Sequence, residues 1–212
     1  MRAAAHLDLG FPFRGTWLVQ NSPANRLPSH GTTLFASCCA IDFVPVDQAG
    51  RSAPIVLRSL TRSEPPERFP GFGRPILSPC DGVVVTTHDG LPDHHAYRGW
   101  SSLGYALGQR RRATAGWIGL AGNHVAIDTG GAIVFLCHLR QHTVTVHPGQ
   151  RLRLGEPLAE CGNTGNSTEP HLHLQAVDSL RIDQANAVPI TFRGSLPRNG
   201  HIVDVLPGGG TG

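Results

Sequence analysis

The chain has 212 residues, among them 26 Gly, 17 Pro, 12 His, 18 basic and 15 acidic side chains. All the basic residues are Arg, and the absence of lysine excludes a Walker-type phosphate loop, a Schiff-base or PLP enzyme and a Ser-Lys hydrolase. The Gly and Pro content argues against a helical bundle or coiled coil, and a net charge of +3 with one basic run, Arg110-Arg111-Arg112, lacks the broad patch of a nucleic-acid binder.

Residues 1–14 read as an irregular lead-in. Short stretches rich in Val, Ile and Leu, bounded by Gly, Pro, Asn or Asp, then read as strands at 16–20, 40–46, 55–60, 82–87, 124–128, 132–139, 157–161 and 171–177. A last extended stretch falls near 188–192. Residues 62–73, with Glu64-Pro65-Pro66-Glu67, read as a surface loop. Residues 94–122 depart most from the strand pattern and read as an inserted loop with one short helix near 103–112. Residues 207–212 form a Gly-rich tail. The expected fold is all-β: a mainly antiparallel, sandwich-like core with long loops and at most short helices, in a single domain over 15–206.

The N-terminus has no apolar stretch of signal-peptide length, and no window approaches the roughly 18–20 apolar residues of a membrane span. The sequence therefore reads as a soluble chain with no visible export signal, cytoplasmic by default, and leaves the compartment open. The cysteines, Cys38, Cys39, Cys80, Cys137 and Cys161, are odd in number and include no CxxC pair, so neither a zinc ribbon nor a full disulfide framework is indicated. Cys137 and Cys161, in apolar surroundings, read as buried small hydrophobes, and one disulfide stays open.

The histidines point to metal or acid–base chemistry. In His171-Leu172-His173-Leu174, residues i and i+2 of a strand share a face, so two imidazoles stand side by side while the leucines face the opposite layer. His138 closes the apolar run Ile133–Cys137 and, taken alone, reads equally as a strand-end histidine satisfied by backbone or water. His30 sits in a loop after Leu27-Pro28-Ser29. Asp42 lies inside the apolar strand Ala40-Ile41-Asp42-Phe43-Val44, where a carboxylate is costly without a cation or several donors. Two histidines and a carboxylate suit tetrahedral zinc with one position left for water, and further imidazoles can move the water's proton.

Five segments together resemble the lysostaphin/LytM-type zinc metallopeptidases, across roughly residues 29–177. They are the upstream His30 and Asp42; Gly73-Arg74-Pro75-Ile76-Leu77-Ser78-Pro79-Cys80-Asp81-Gly82-Val83-Val84, similar to the family's "G-x-P-V-x-A-P-x-D-G-x-V"; the strands at 123–128 and 135–139; the glycine-spaced 146–158; and 162–174, similar to "G-N-T-G-x-S-T-x-P-H-L-H". The resemblance implies a duplicated hybrid motif fold with a groove floored by the central sheet. It implies Zn2+ held by His30, Asp42 and His173, with His138 and His171 as the catalytic imidazoles. It also implies hydrolysis of peptidoglycan peptides, stems or crosslinks. The interval of 12 positions from His30 to Asp42 is longer than in many members, and the 94–122 insertion is large enough to reset groove width and specificity.

Two other readings were open. One is a non-catalytic member of the same fold that binds wall peptides or a partner, although such members typically lose ligands and this chain has lost none. The other is a phosphocarrier-like β domain with paired histidines, which Asp42 fits less well. Outside the proposed set, His124 reads as a surface or supporting group, His94-His95 as a solvated loop, and Trp100 and Trp117 as residues that pack the insertion or line the groove.

Overall fold

The computed structural model describes residues 6–53, 62–97 and 116–206. The expected strand at 55–60, the expected helix at 103–112, the arginine run, Trp100 and the tail lie outside the described residues. Twelve strands are formed among the described residues: β1 (Leu7–Leu9), β2 (Gly15–Gln20), β3 (Ile41–Pro45), β4 (Pro75–Leu77), β5 (Gly82–His88), β6 (Asn123–Asp128), β7 (Ile133–Leu139), β8 (Arg151–Leu152), β9 (Pro157–Glu160), β10 (Leu172–Val177), β11 (Ile190–Phe192) and β12 (Ile202–Val205). Among the described residues, helix is confined to α1 (Gly116–Ala121) and to 3-10 turns at Leu34–Cys39 and Pro66–Arg68. No described helix is long and apolar enough to cross a membrane.

The main sheet has eight strands in the order β12-β2-β3-β10-β7-β6-β5-β8, with every neighbouring pair antiparallel. The all-β expectation therefore holds. Alternation sets its two faces. Ile41 and Phe43 of β3, Leu172 and Leu174 of β10, and Val134 and Leu136 of β7 point to the back and enter the larger core. There they meet Leu9 of β1, Ile76 of β4, Leu158 of β9 and Phe192 of β11. The short pairs β4–β9 and β1–β11 thus close a sandwich-like layer over the back of the sheet. The front carries a smaller cluster, with Ile133, Phe135 and Cys137 of β7 and Val177 of β10 covered by Ala36 and Ala121, and Trp117 packed against it.

Four short strands, β1, β4, β8 and β12, fall outside the expected strand-like stretches. Leu7–Leu9, placed in an irregular lead-in, pairs in parallel with β11, and Ile202–Val205 extends the sheet edge beside β2. A strand this short carries too little pattern to stand out, and its partners lie far away in sequence. The five cysteines are all free, with Cys137 and Cys161 buried.

Candidate metal centre

Asp42 occupies the middle of the sheet, paired across β3 to Gln20 of β2 and His173 of β10. Its neighbours Ile41 and Phe43 anchor the back core, so the same alternation that buries them aims the carboxylate at the front. Asp42 is only 5% exposed, and it is heavily partnered. Asn21 Nδ2 donates to Oδ2 at 2.7 Å, His30 Nε2 lies 3.0 Å from Oδ2, and His173 Nδ1 lies 2.9 Å from Oδ1. His171 Nε2 stands 3.8 Å from Oδ1. Donor atoms of His30, Asp42 and His173 all lie within 4.8 Å of one another. Two imidazole nitrogens and a carboxylate oxygen at that spacing form a donor set suited to a borderline metal such as zinc.

His138 reaches this face by a break in the sheet. Asn123 pairs with Leu139 and His124 with Cys137, so His138 is the extra residue of a β-bulge. Its φ of 64° is left-handed, and it re-aims a side chain that strict alternation would send to the back core. Its ring then lies 4.7 Å from that of His171 and 5.7 Å from that of His173. His138 Nδ1 donates to the Thr164 carbonyl at 2.8 Å, and His171 Nδ1 donates to the Glu169 carbonyl at 2.8 Å, with Ser167 Oγ at 2.9 Å. A carbonyl only accepts, so each ring keeps Nδ1–H and leaves Nε2 open. Asn21, His30, Asp42, His138, His171 and His173 line one groove of about 540 Å³, with Leu34, Phe35, Trp117 and Leu120 as its apolar wall.

Burial raises the cost of the Asp42 charge, but His30, His171 and His173 outweigh it and hold the carboxyl well below the usual carboxylate range. Burial pushes His138 well below the ordinary histidine range, and charge on His171 and His173 pushes the same way. Burial also opposes charge on His173, yet its hydrogen bond to Asp42 prevails and its pKa is raised. The His138 shift fixes a sign. The unfolded chain protonates this side chain near pH 6.5 while the fold keeps it neutral, so the unfolded state binds more protons and stability falls as pH drops below about 6.5. His173 acts in the opposite sense. In metal-free protein, His138→Gln is therefore expected to gain stability relative to the parent between about pH 6.5 and 5, by up to about 1.4 kcal/mol per pH unit. Urea unfolding in chelator at several pH values measures this, and parallel curves for the two proteins would contradict it.

All five residues singled out in the sequence converge. His171 precedes β10 rather than lying in it, but its side chain still joins the groove. Three supporting side chains escaped the sequence reading: Asn21, Ser29 and Gln175. Gln175 was within reach of the same i+2 rule that paired His171 with His173. His124 is buried rather than exposed, set against Trp117 and Phe135. His94 is no free loop residue either, since its Nε2 lies 3.0 Å from the Gly165 carbonyl. Trp117 both packs against Phe135 and lines the groove.

Residues 105–186 match the model of peptidase family M23, a span that contains His138, His171 and His173 and stops short of His30 and Asp42. The peptidoglycan DD-endopeptidase ShyA of Vibrio cholerae is 28% identical over 162 residues, covering 73% of this chain. The chain spans about a third of that relative, 31% of its length. Among solved structures, the catalytic domain of lysostaphin from Staphylococcus simulans is 15% identical with a TM-score of 0.40, over 85% of this chain and 88% of that one. A zinc-containing peptidase from Vibrio cholerae is 20% identical with a TM-score of 0.37, over 74% and 50%.

Proposed function

We propose that this chain, whose residues 105–186 match peptidase family M23, is a zinc-dependent metalloendopeptidase that hydrolyses peptide bonds of peptidoglycan stems or crosslinks. The observation that carries this reading is the convergence of His30, Asp42 and His173 beside His138 and His171 at the floor of one groove. His30 Nε2, an Asp42 oxygen and His173 Nδ1 would hold the ion. Bound there, zinc supplies a Lewis acid for the scissile carbonyl and brings the pKa of water towards about 7.

The chain's own groups supply the rest. His138, kept neutral by burial, offers Nε2 as the general base that takes a proton from the attacking water. It then returns that proton to the departing amine. His171 faces it across the groove, with its ring fixed from behind by Glu169 and Ser167. When its Nε2 carries a proton as well, it would donate to the carbonyl oxygen as charge develops there. The wall of Leu34, Phe35, Trp117 and Leu120 excludes water from one side of an extended peptide.

Chelation is expected to abolish hydrolysis of purified peptidoglycan and of synthetic stem or oligoglycine peptides, and added zinc to restore it, with products read by mass spectrometry. Zinc-loaded protein that leaves every such peptide intact would overturn the proposal, and tight binding to wall material without turnover would replace it with the non-catalytic reading.

A further inference from the structure

We infer that the kinked segment Leu34–Cys39 determines which nitrogen each metal-site histidine presents, acting through two positioning residues, Gln175 on His173 and Ser29 on His30. The inference rests on the reading of His30, Asp42 and His173 as the metal ligands, and adds what makes them competent. An imidazole can bind a metal only through a nitrogen that carries no proton, so the far nitrogen must be held as N–H.

On β10 the assignment follows from one backbone carbonyl. Gln175, 1% exposed, places Nε2 2.9 Å from the Phe35 carbonyl. That carbonyl can only accept, so the amide NH2 group faces it, and Oε1 faces His173 Nε2 at 3.0 Å. Oε1 in turn can only accept, so His173 Nε2 holds a proton. Nδ1 faces Asp42 Oδ1 at 2.9 Å, donating to it until a metal takes the place of that proton.

The loop histidine is set by the same device with the opposite result. Ser29 is fully buried, and its Oγ donates to the Ser37 carbonyl at 3.2 Å while its N–H donates to the Cys38 carbonyl at 3.0 Å. A hydroxyl has one proton to give, so Oγ accepts from His30 Nδ1–H at 3.0 Å. His30 therefore presents Nε2, 3.0 Å from Asp42. The two rings meet Asp42 through different nitrogens because each is keyed from behind to a different carbonyl of one segment.

The segment has an unusual shape for this task. Phe35 and Ala36 are consecutive non-glycine residues with left-handed φ of 53° and 57°. Such backbone persists only where packing holds it. Ala36 is buried in the front cluster with Cys137 and Val177, and the Phe35 ring lies 5.9 Å from Trp117.

The test uses the full chain loaded with zinc, with ring nitrogens read by long-range 15N–1H NMR and zinc affinity measured by chelator competition. The expected result is Nε2–H with a metal-bound Nδ1 for His173, and the reverse for His30. Gln175→Leu and Ser29→Ala are each expected to weaken zinc binding by about 10–100-fold. Gln175→Glu, which keeps an acceptor towards His173, is expected to retain the tautomer and to lose less affinity than Gln175→Leu. A parent spectrum with either histidine bound through the other nitrogen overturns the inference, whether or not the variants fold. So does zinc affinity in folded Gln175→Leu and Ser29→Ala within twofold of the parent. If instead His173→Ala binds zinc as tightly as the parent, the ligand reading itself has failed.

Discussion

An Asp42→Ala chain is expected to lose both zinc binding and a large part of its metal-free stability. The carboxylate is the only acidic member of the donor set and sits between the two histidines. Removing groups that merely support a ligand costs about 10–100-fold in metal affinity, so deleting the ligand is expected to cost at least about a hundredfold. The stability effect has a separate origin. Asn21 Nδ2 and His173 Nδ1 are aimed at Asp42 from buried or half-buried positions and would be left without their acceptor. Breaking one side of a buried charged pair costs about 3–5 kcal/mol, and about 3 is expected here at pH 7. The sign of the pH dependence is fixed by the depressed carboxyl. The stabilisation is complete above the unfolded value near 3.9 and is lost as pH falls through the lower folded value. The parent should therefore converge on the variant in acid. Chelator competition and urea unfolding in chelator check the two halves, and unchanged zinc affinity in the variant would remove Asp42 from the ligand set.

The parts of this site that obey simple alternation were legible in the sequence. Asp42 stood out because β3 is otherwise apolar, and a carboxylate there needs a reason. His173 and His171 stood out as an i, i+2 pair, although the strand that justified the pairing begins only at Leu172. His138 is different. Alternation from Val134 and Leu136 would send His138 to the back core with them, and after the bulge Leu139 takes that place. Only the bulge opposite Asn123 and His124 turns it into the groove, and nothing in Ile133–Leu139 announces a bulge, since the residue that takes the left-handed φ is not a glycine. The resemblance to known peptidases, rather than any pattern in the strand, singled it out. The kink at Phe35 and Ala36 was illegible for the same reason. Gln175 was legible by position but silent by type, because an amide acquires meaning only when its two partners are known. The edge strands β1 and β12 were missed because short strands are defined by remote pairing rather than by their own residues.

Replacing the two imidazoles that are not metal ligands should separate chemistry from metal binding. His138→Ala and His171→Ala are each expected to keep zinc affinity within severalfold of the parent while lowering kcat by about 10²–10⁴. Neither ring lies in the His30–Asp42–His173 donor set, so the ion should keep its three protein groups. The variants should differ in what they leave behind. His138 is the ring that burial holds neutral, and its removal deletes the proton acceptor. A small exogenous base such as imidazole is therefore expected to recover part of the lost turnover in His138→Ala. His171 is placed by the Glu169 carbonyl and Ser167 Oγ to meet developing charge, a role that depends on a fixed donor direction, so the same additive should restore little to His171→Ala. Because both rings open Nε2 onto one small space, the double variant should lose less than the product of the single losses, as groups acting on one transition state do. Peptide turnover beside zinc titration measures all three chains. If His138→Ala retained parental kcat, or lost zinc as severely as Asp42→Ala, His138 would have to be moved from catalyst to bystander or to ligand.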